Sequence, residues 1–195
     1  MPEFILDRGS PETAREFAKL DSFTQGYIEA MFFTDEEQLC EESGRNMPSV
    51  AFDMTTMESH FVGGDSPSFA DLAPETLARI IADCQRFQTA NATLLDEAYG
   101  RDYDSEQAGR DFWYTRNGHG VGFWDRKALE PDSREYEALT AKMVANRDDN
   151  TAWGAACLKR SALKETGLGE RLSKAARAFR GVDSYVGDDG LIYLA

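Results

Sequence analysis

His119 is the side chain best suited to proton transfer near neutrality, and it sits among possible helpers. Residues 109–126 read GRDFWYTRNGHGVGFWDR. An imidazole works as a general base when an acidic group orients its second nitrogen. Asp111, Asp125 and Tyr114 stand in the same stretch. Together with His119 they define one functional alternative, a hydrolase-like enzyme. Against it, Asp111 lies at the far end of the segment, no serine or cysteine stands at an informative spacing, and there is no nucleophile-elbow pattern. A turn histidine that satisfies local hydrogen bonds explains His119 without catalysis, so no catalytic residue is assigned. His60 and His119, with the widely spaced Cys40, Cys84 and Cys157, do not make a zinc set. The odd cysteine count points to buried free thiols. Gly63-Gly64-Asp65 lacks the lysine and hydroxyl of a phosphate loop. No metal or cofactor is expected.

The elements that would position these residues follow from the turn chemistry. Asn117-Gly118 is a strong hairpin signal, because both residues tolerate positive φ. The expected hairpin pairs residues 111–116 with 121–126. Phe112, Tyr114, Val121 and Phe123 would share one face, and Trp113, Thr115 and Trp124 the other. Two aromatic faces suit a sheet covered by helices, or a sheet with one core face and one exposed platform. The platform version makes Trp113, Trp124, Arg116, Asn117, His119 and Arg126 the candidate interaction residues.

Such a platform offers a second alternative, binding of single-stranded nucleic acid. Bases would stack on Trp113 and Trp124, or on Tyr114 and Phe123, with Arg110, Arg116 and Arg126 near phosphate. The formal net charge of −14 works against this. A basic interval does exist over residues 159–180, with seven basic side chains against two acidic ones, net +5, leaving −19 for the rest.

Elsewhere the pattern is mostly helical. Ser10-Pro11-Glu12 is a helix entry, and residues 23–33 carry Phe23, Tyr27, Ile28, Met31 and Phe32 near the helical period. An acidic run follows through Asp35, Glu36, Glu37, Glu41 and Glu42 and reads as a solvated helical face. Residues 42–70 lack periodicity and read as an irregular connection with a short turn at 54–61. Residues 74–98 form the strongest helical pattern, interrupted in chemical character only by Asn91, which could satisfy a backbone carbonyl. A short helix from Asp104 leads into the expected hairpin. Helices are also expected over 134–146, 151–164 and 168–179. A second hairpin is expected over 182–186 and 191–194, turning at Gly187-Asp188-Asp189-Gly190. The fold class is therefore α+β: a small antiparallel sheet of about four strands, from two hairpins, covered by helices.

Residues 111–126 resemble a motif of an uncharacterised family of small tailed-phage proteins, close to D-F-W-x-T-R-N-G-H-G-x-G-F-W-D-R. The resemblance extends to FTQGYIEAMFFT at 23–34 and GVDSYVGDDGLIYL at 181–194. It implies a phage origin and a shared architecture, with no activity to carry over. Shorter relatives pass quickly from this motif to a final helix, so residues 127–166 read as a helical insertion within a single domain of residues 1–195.

Composition bounds the rest. The chain is 42% apolar, enough for a core, yet no apolar run approaches the ~20 residues of a membrane span. The start, MPEFILDRGSPE, lacks the basic and apolar regions of a secretory signal. The expectation is a noncatalytic phage accessory protein in the host cytoplasm. It would bind and modulate a host macromolecule, such as a defence, nuclease or transcription component, with no membrane partner. A structural role inside the virion is the further alternative, though no fibrous repeat supports it.

Overall fold

The computed structural model describes residues 11–47, 49–53, 58–62 and 65–195, the side chains of 49–53 and 58–62 excepted. Among these residues the elements run α1 (Pro11–Ala18), α2 (Ser22–Ser43), β1 (Ser49–Asp53), β2 (Glu58–Val62), α3 (Pro74–Ala90), α4 (Ala92–Tyr99), α5 (Ser105–Asn117), α6 (Arg134–Ala145), α7 (Asn150–Glu165), α8 (Leu168–Arg177), β3 (Ser184–Val186) and β4 (Ile192–Leu194). Ser10 lies outside the described residues.

α2 is the axis of the fold. Asp21 caps it by accepting the Thr24 backbone N–H at 3.1 Å, and Gly44 ends it in the left-handed region at φ 69°. Its first half is buried on nearly every side, from Phe23 through Phe32. α5 crosses it at backbone contact. A β-carbon on Gly26 would lie 2.0 Å from the Glu106 carbonyl oxygen, and one on Gly109 only 1.8 Å from that of Phe23. Glycine at both positions is what lets the two helices touch.

The core gathers around that crossing. Phe87 of α3 stacks on Phe112 of α5 at 4.2 Å between ring centroids, and Phe23 and Phe123 flank Phe87 at 5.8 Å each. Phe179, beyond α8, meets Phe112 edge-on at 5.1 Å. Aromatic pairs of this kind add to area burial about 0.5–1.5 kcal/mol apiece.

The expected four-stranded sheet is not found among the described residues. The structure is mostly helical, and its strands form two separate two-stranded antiparallel hairpins, β1–β2 and β3–β4. The larger correction concerns residues 111–126. They form the second half of α5, a loop and a single 3-10 turn, Phe123–Asp125, rather than a hairpin. The reason is that Asn-Gly chemistry also serves helix ends. Gly118 takes φ 73° as the C-cap of α5, and the His119 N–H bonds back to the Tyr114 carbonyl at 3.1 Å. Asp104 accepts the Gln107 N–H at 2.7 Å and starts the helix that runs into the motif. The loop then folds back on its own helix, with the Phe123 N–H donating to Thr115 Oγ1 at 3.2 Å.

β1 and β2 pair from Ser49↔Val62 to Asp53↔Glu58, inside the stretch read as irregular. Residues 54–57, where the turn was expected, lie outside the described residues. β3 and β4 do form the expected C-terminal hairpin, with Gly187 N–H on the Leu191 carbonyl at 2.8 Å. Asn91 breaks the long helical pattern into α3 and α4, and its side chain donates to the Phe87 carbonyl at 2.9 Å. The acidic second half of α2 is more than a solvated face. Asp35 accepts the Ser184 hydroxyl at 2.5 Å and Glu42 accepts the Val186 N–H at 2.8 Å, so it anchors β3.

Candidate functional site

α5 carries the motif, and most of its polar groups point inward. Asp111 is fully buried. It accepts from the Tyr103 hydroxyl at 2.7 Å, from Gln107 Nε2 at 3.0 Å and from both sides of the Arg126 guanidinium. Burial and then the adjacent Asp111 charge push the Tyr103 phenol far above its ordinary range. The Asp111 bond lifts Arg126 against the opposing effect of burial. Asp111 is thus committed to Arg126 and Tyr103 and does not orient His119.

Arg116 is buried as well. It donates to Tyr27 Oη, to Asp83 Oδ2 and to the Arg180 carbonyl, each at 3.0 Å, and lies over the Phe112 ring at 5.3 Å. Arg180 adopts φ 61°, the backbone turn at which its carbonyl meets that guanidinium. Arg110 reaches across the helix crossing to the buried Glu29 at 2.7 Å. Arg110, Arg116 and Arg126 are each paired with a carboxylate, which weighs against the phosphate contacts of the nucleic-acid alternative. Its platform is missing too. Trp113 is 1% exposed and donates Nε1–H to Thr34 Oγ1 at 2.8 Å. Trp124 is half-buried with Lys164 5.3 Å from its ring centroid. Phe123 is fully buried.

Three of the six candidate interaction residues, Trp113, Asn117 and His119, meet in a cleft at the C-terminal end of α5. They border about 190 Å³ there, together with Asp35, Gln38, Asp183 and Ser184. The central and C-terminal motif blocks meet here against Asp35 and Gln38, which follow the first block on α2. Asn117 Oδ1 accepts the Val182 N–H at 2.8 Å, which leaves its Nδ2 buried without a partner among the described residues. The exposed His119 ring lies flat against Trp113, 6.1 Å between centroids, and meets the Tyr114 ring edge-on. Its nitrogens make no hydrogen bond to a described residue, and no side chain there completes an acid–base pair.

A second surface lies on the segment read as an insertion. α6 and α7 form an antiparallel helical hairpin, capped by Ser133 at one start and Asp149 at the other. Arg160 of α7 ties the hairpin to the preceding loop through Glu130 at 3.0 Å and to α6 through Thr140 at 2.9 Å, while its guanidinium sits 4.4 Å from the Tyr136 ring. On this hairpin Val144 is 70%, Leu158 76% and Trp153 41% exposed. A groove of about 590 Å³ runs beside α6 against residues 127–132. Val144 and Trp153 fall in the helices expected over 134–146 and 151–164, but helical period alone does not tell which apolar side chains stay exposed.

Among the described residues, no group of three or more His, Cys, Asp or Glu side chains is placed to hold a metal ion. No helix among them is long and apolar enough to cross a membrane. The chain matches no family model, no curated protein and no solved structure.

Proposed function

We propose that this chain is a phage accessory protein that binds a host protein in the host cytoplasm and acts without catalysis. The phage origin comes from the resemblance of residues 111–126 and their flanking blocks. The observation that carries the binding reading is the α6–α7 hairpin, with Val144, Trp153 and Leu158 presented to solvent on adjoining helices. Large apolar side chains gathered on one peripheral element mark a contact surface. Arg110, Arg116 and Asn117, by contrast, are taken up in holding α5 to α2, α3 and the loop after α8.

The test is affinity capture by the tagged full chain from infected-cell lysate at low and moderate salt. The expected result is one reproducible host protein, recovered less efficiently as salt rises because the chain is strongly acidic. A Trp153→Ala, Leu158→Ser variant should lose that protein while unfolding at the same urea concentration. Failure to recover any reproducible partner overturns the reading.

A further inference from the structure

We infer that the groove beside α6 is a docking site for a basic amphipathic helix of a partner protein. This rests on the binding reading above and names the partner's chemistry. The floor is apolar and formed by Ala128, Pro131, Tyr136, Ala141 and Val144. On α6, Tyr136, Thr140 and Val144 recur every four residues, so the floor is a strip along one helical face. The eight-residue span from Tyr136 to Val144 is about 12 Å of helix, enough to seat about two turns of an adjacent helix.

The rim sets the sign of the charge. Arg101 is held by Glu97 and by the Glu130 carbonyl, and Arg160 by Glu130 and Thr140. Asp132 and Glu137 line the groove with no ion pair to a described residue, opposed on the rim by Lys127 alone in the same condition. The excess is negative, on a chain of net charge −14. Lysines or arginines flanking an apolar stripe complement both the rim and the floor, whereas an acidic ligand meets repulsion at both ranges.

The probe is a fluorescein-labelled peptide of about 18 residues, five helical turns, with leucines on one face and lysines on the other. A scrambled peptide of equal composition and a glutamate-for-lysine version serve as controls. Anisotropy titrations should show the amphipathic peptide binding at least about tenfold tighter than the scrambled one, and no binding of the acidic one. Asp132→Asn, Glu137→Gln should weaken binding about fivefold and flatten its salt dependence. Val144→Asn should weaken it similarly through the floor. Glu37→Gln, Glu41→Gln, the same charge change on exposed residues of α2, should leave it within about twofold. Equal binding of the scrambled peptide, or equal weakening by the α2 pair, overturns the proposal in favour of diffuse charge attraction. A dimer in sedimentation that Val144→Asn dissolves overturns it in favour of a second copy of this chain. If lysate capture succeeds and survives Val144→Asn while the peptide fails, the groove proposal falls alone. If capture finds no partner, the binding reading falls.

Discussion

Asp111 and His119 lie eight residues apart in one motif and have opposite physical situations. Asp111 is a buried charge with every lone-pair direction spoken for, whereas His119 is an exposed ring with no hydrogen bond to a described residue. Asp111→Ala strands the Tyr103 hydroxyl and frees the Arg126 guanidinium. Removing one partner of a buried pair costs about 3–5 kcal/mol, and the 30% exposure of Arg126 screens this toward about 2–3 kcal/mol. Urea denaturation measures it directly. His119→Gln should stay within about 0.5 kcal/mol in the same assay, as for other exposed positions. Phe112→Ala, which removes a fully buried ring from the centre of the aromatic stack, should cost about 3–5 kcal/mol.

Helix against helix, the decisive contact is the crossing of α2 and α5. Gly109→Ala places a methyl group within bonding distance of a carbonyl, so the helices must separate, at a cost of about 1–3 kcal/mol. The same substitution at Gly154, in the interior of α7 with no atom within 4 Å, should stabilise by about 0.5–1 kcal/mol through the helical preference of alanine. Opposite signs from one chemical change separate packing from propensity. The α6–α7 hairpin is the other informative element. A β-carbon on Gly167 would lie 3.1 Å from Pro131 Cγ, so the chain leaves for this hairpin and returns from it at adjoining points. Replacing residues 133–163 by a short Gly/Ser linker should therefore leave a cooperatively unfolding protein with a smaller denaturant slope, in keeping with the surface removed. Loss of cooperative unfolding would show that the hairpin is integral to the core.

At the scale of the whole molecule, the buried phenols set an alkaline limit. Burial pushes Tyr27 and Tyr103 far up. Tyr136 is pushed up to about 12 by burial and its bond to Glu130. Below about pH 10, the ordinary phenol value, both folded and unfolded states hold these protons and their contribution to stability is complete. Above it the unfolded chain releases protons that the folded chain retains. Stability must then fall as pH rises from about 10 through the folded values. The urea midpoint should drop between pH 9 and pH 11. The share of ionised-tyrosine absorbance that belongs to these three phenols should appear in step with unfolding rather than before it. Early, noncooperative ionisation of all tyrosines would show that these phenols are accessible.

Local chemistry was legible wherever it has one structural use. Asp104 as a cap, Pro74 at a helix start, the Gly-Asp-Asp-Gly turn and the helical period of residues 134–179 each have one favourable outcome, so the sequence alone determined them. Asn117-Gly118 has two, because positive φ closes a hairpin and ends a helix equally well. Residues 112–114 supply apolar side chains to either period. What decided between them was the backbone contact at Gly26 and Gly109, a pairing 83 residues apart that makes sense only once α2 and α5 are both helices. The same holds for the arginines. Arg110, Arg116 and Arg126 look in sequence like a surface for phosphate, yet their carboxylates come from Glu29, Asp83 and, fifteen residues earlier, Asp111. A charge is free or buried according to what the fold brings to it. The acidity of the chain was readable from composition, while the internal pairing of its motif and the exposure of Val144, Trp153 and Leu158 on α6–α7 were settled by tertiary packing.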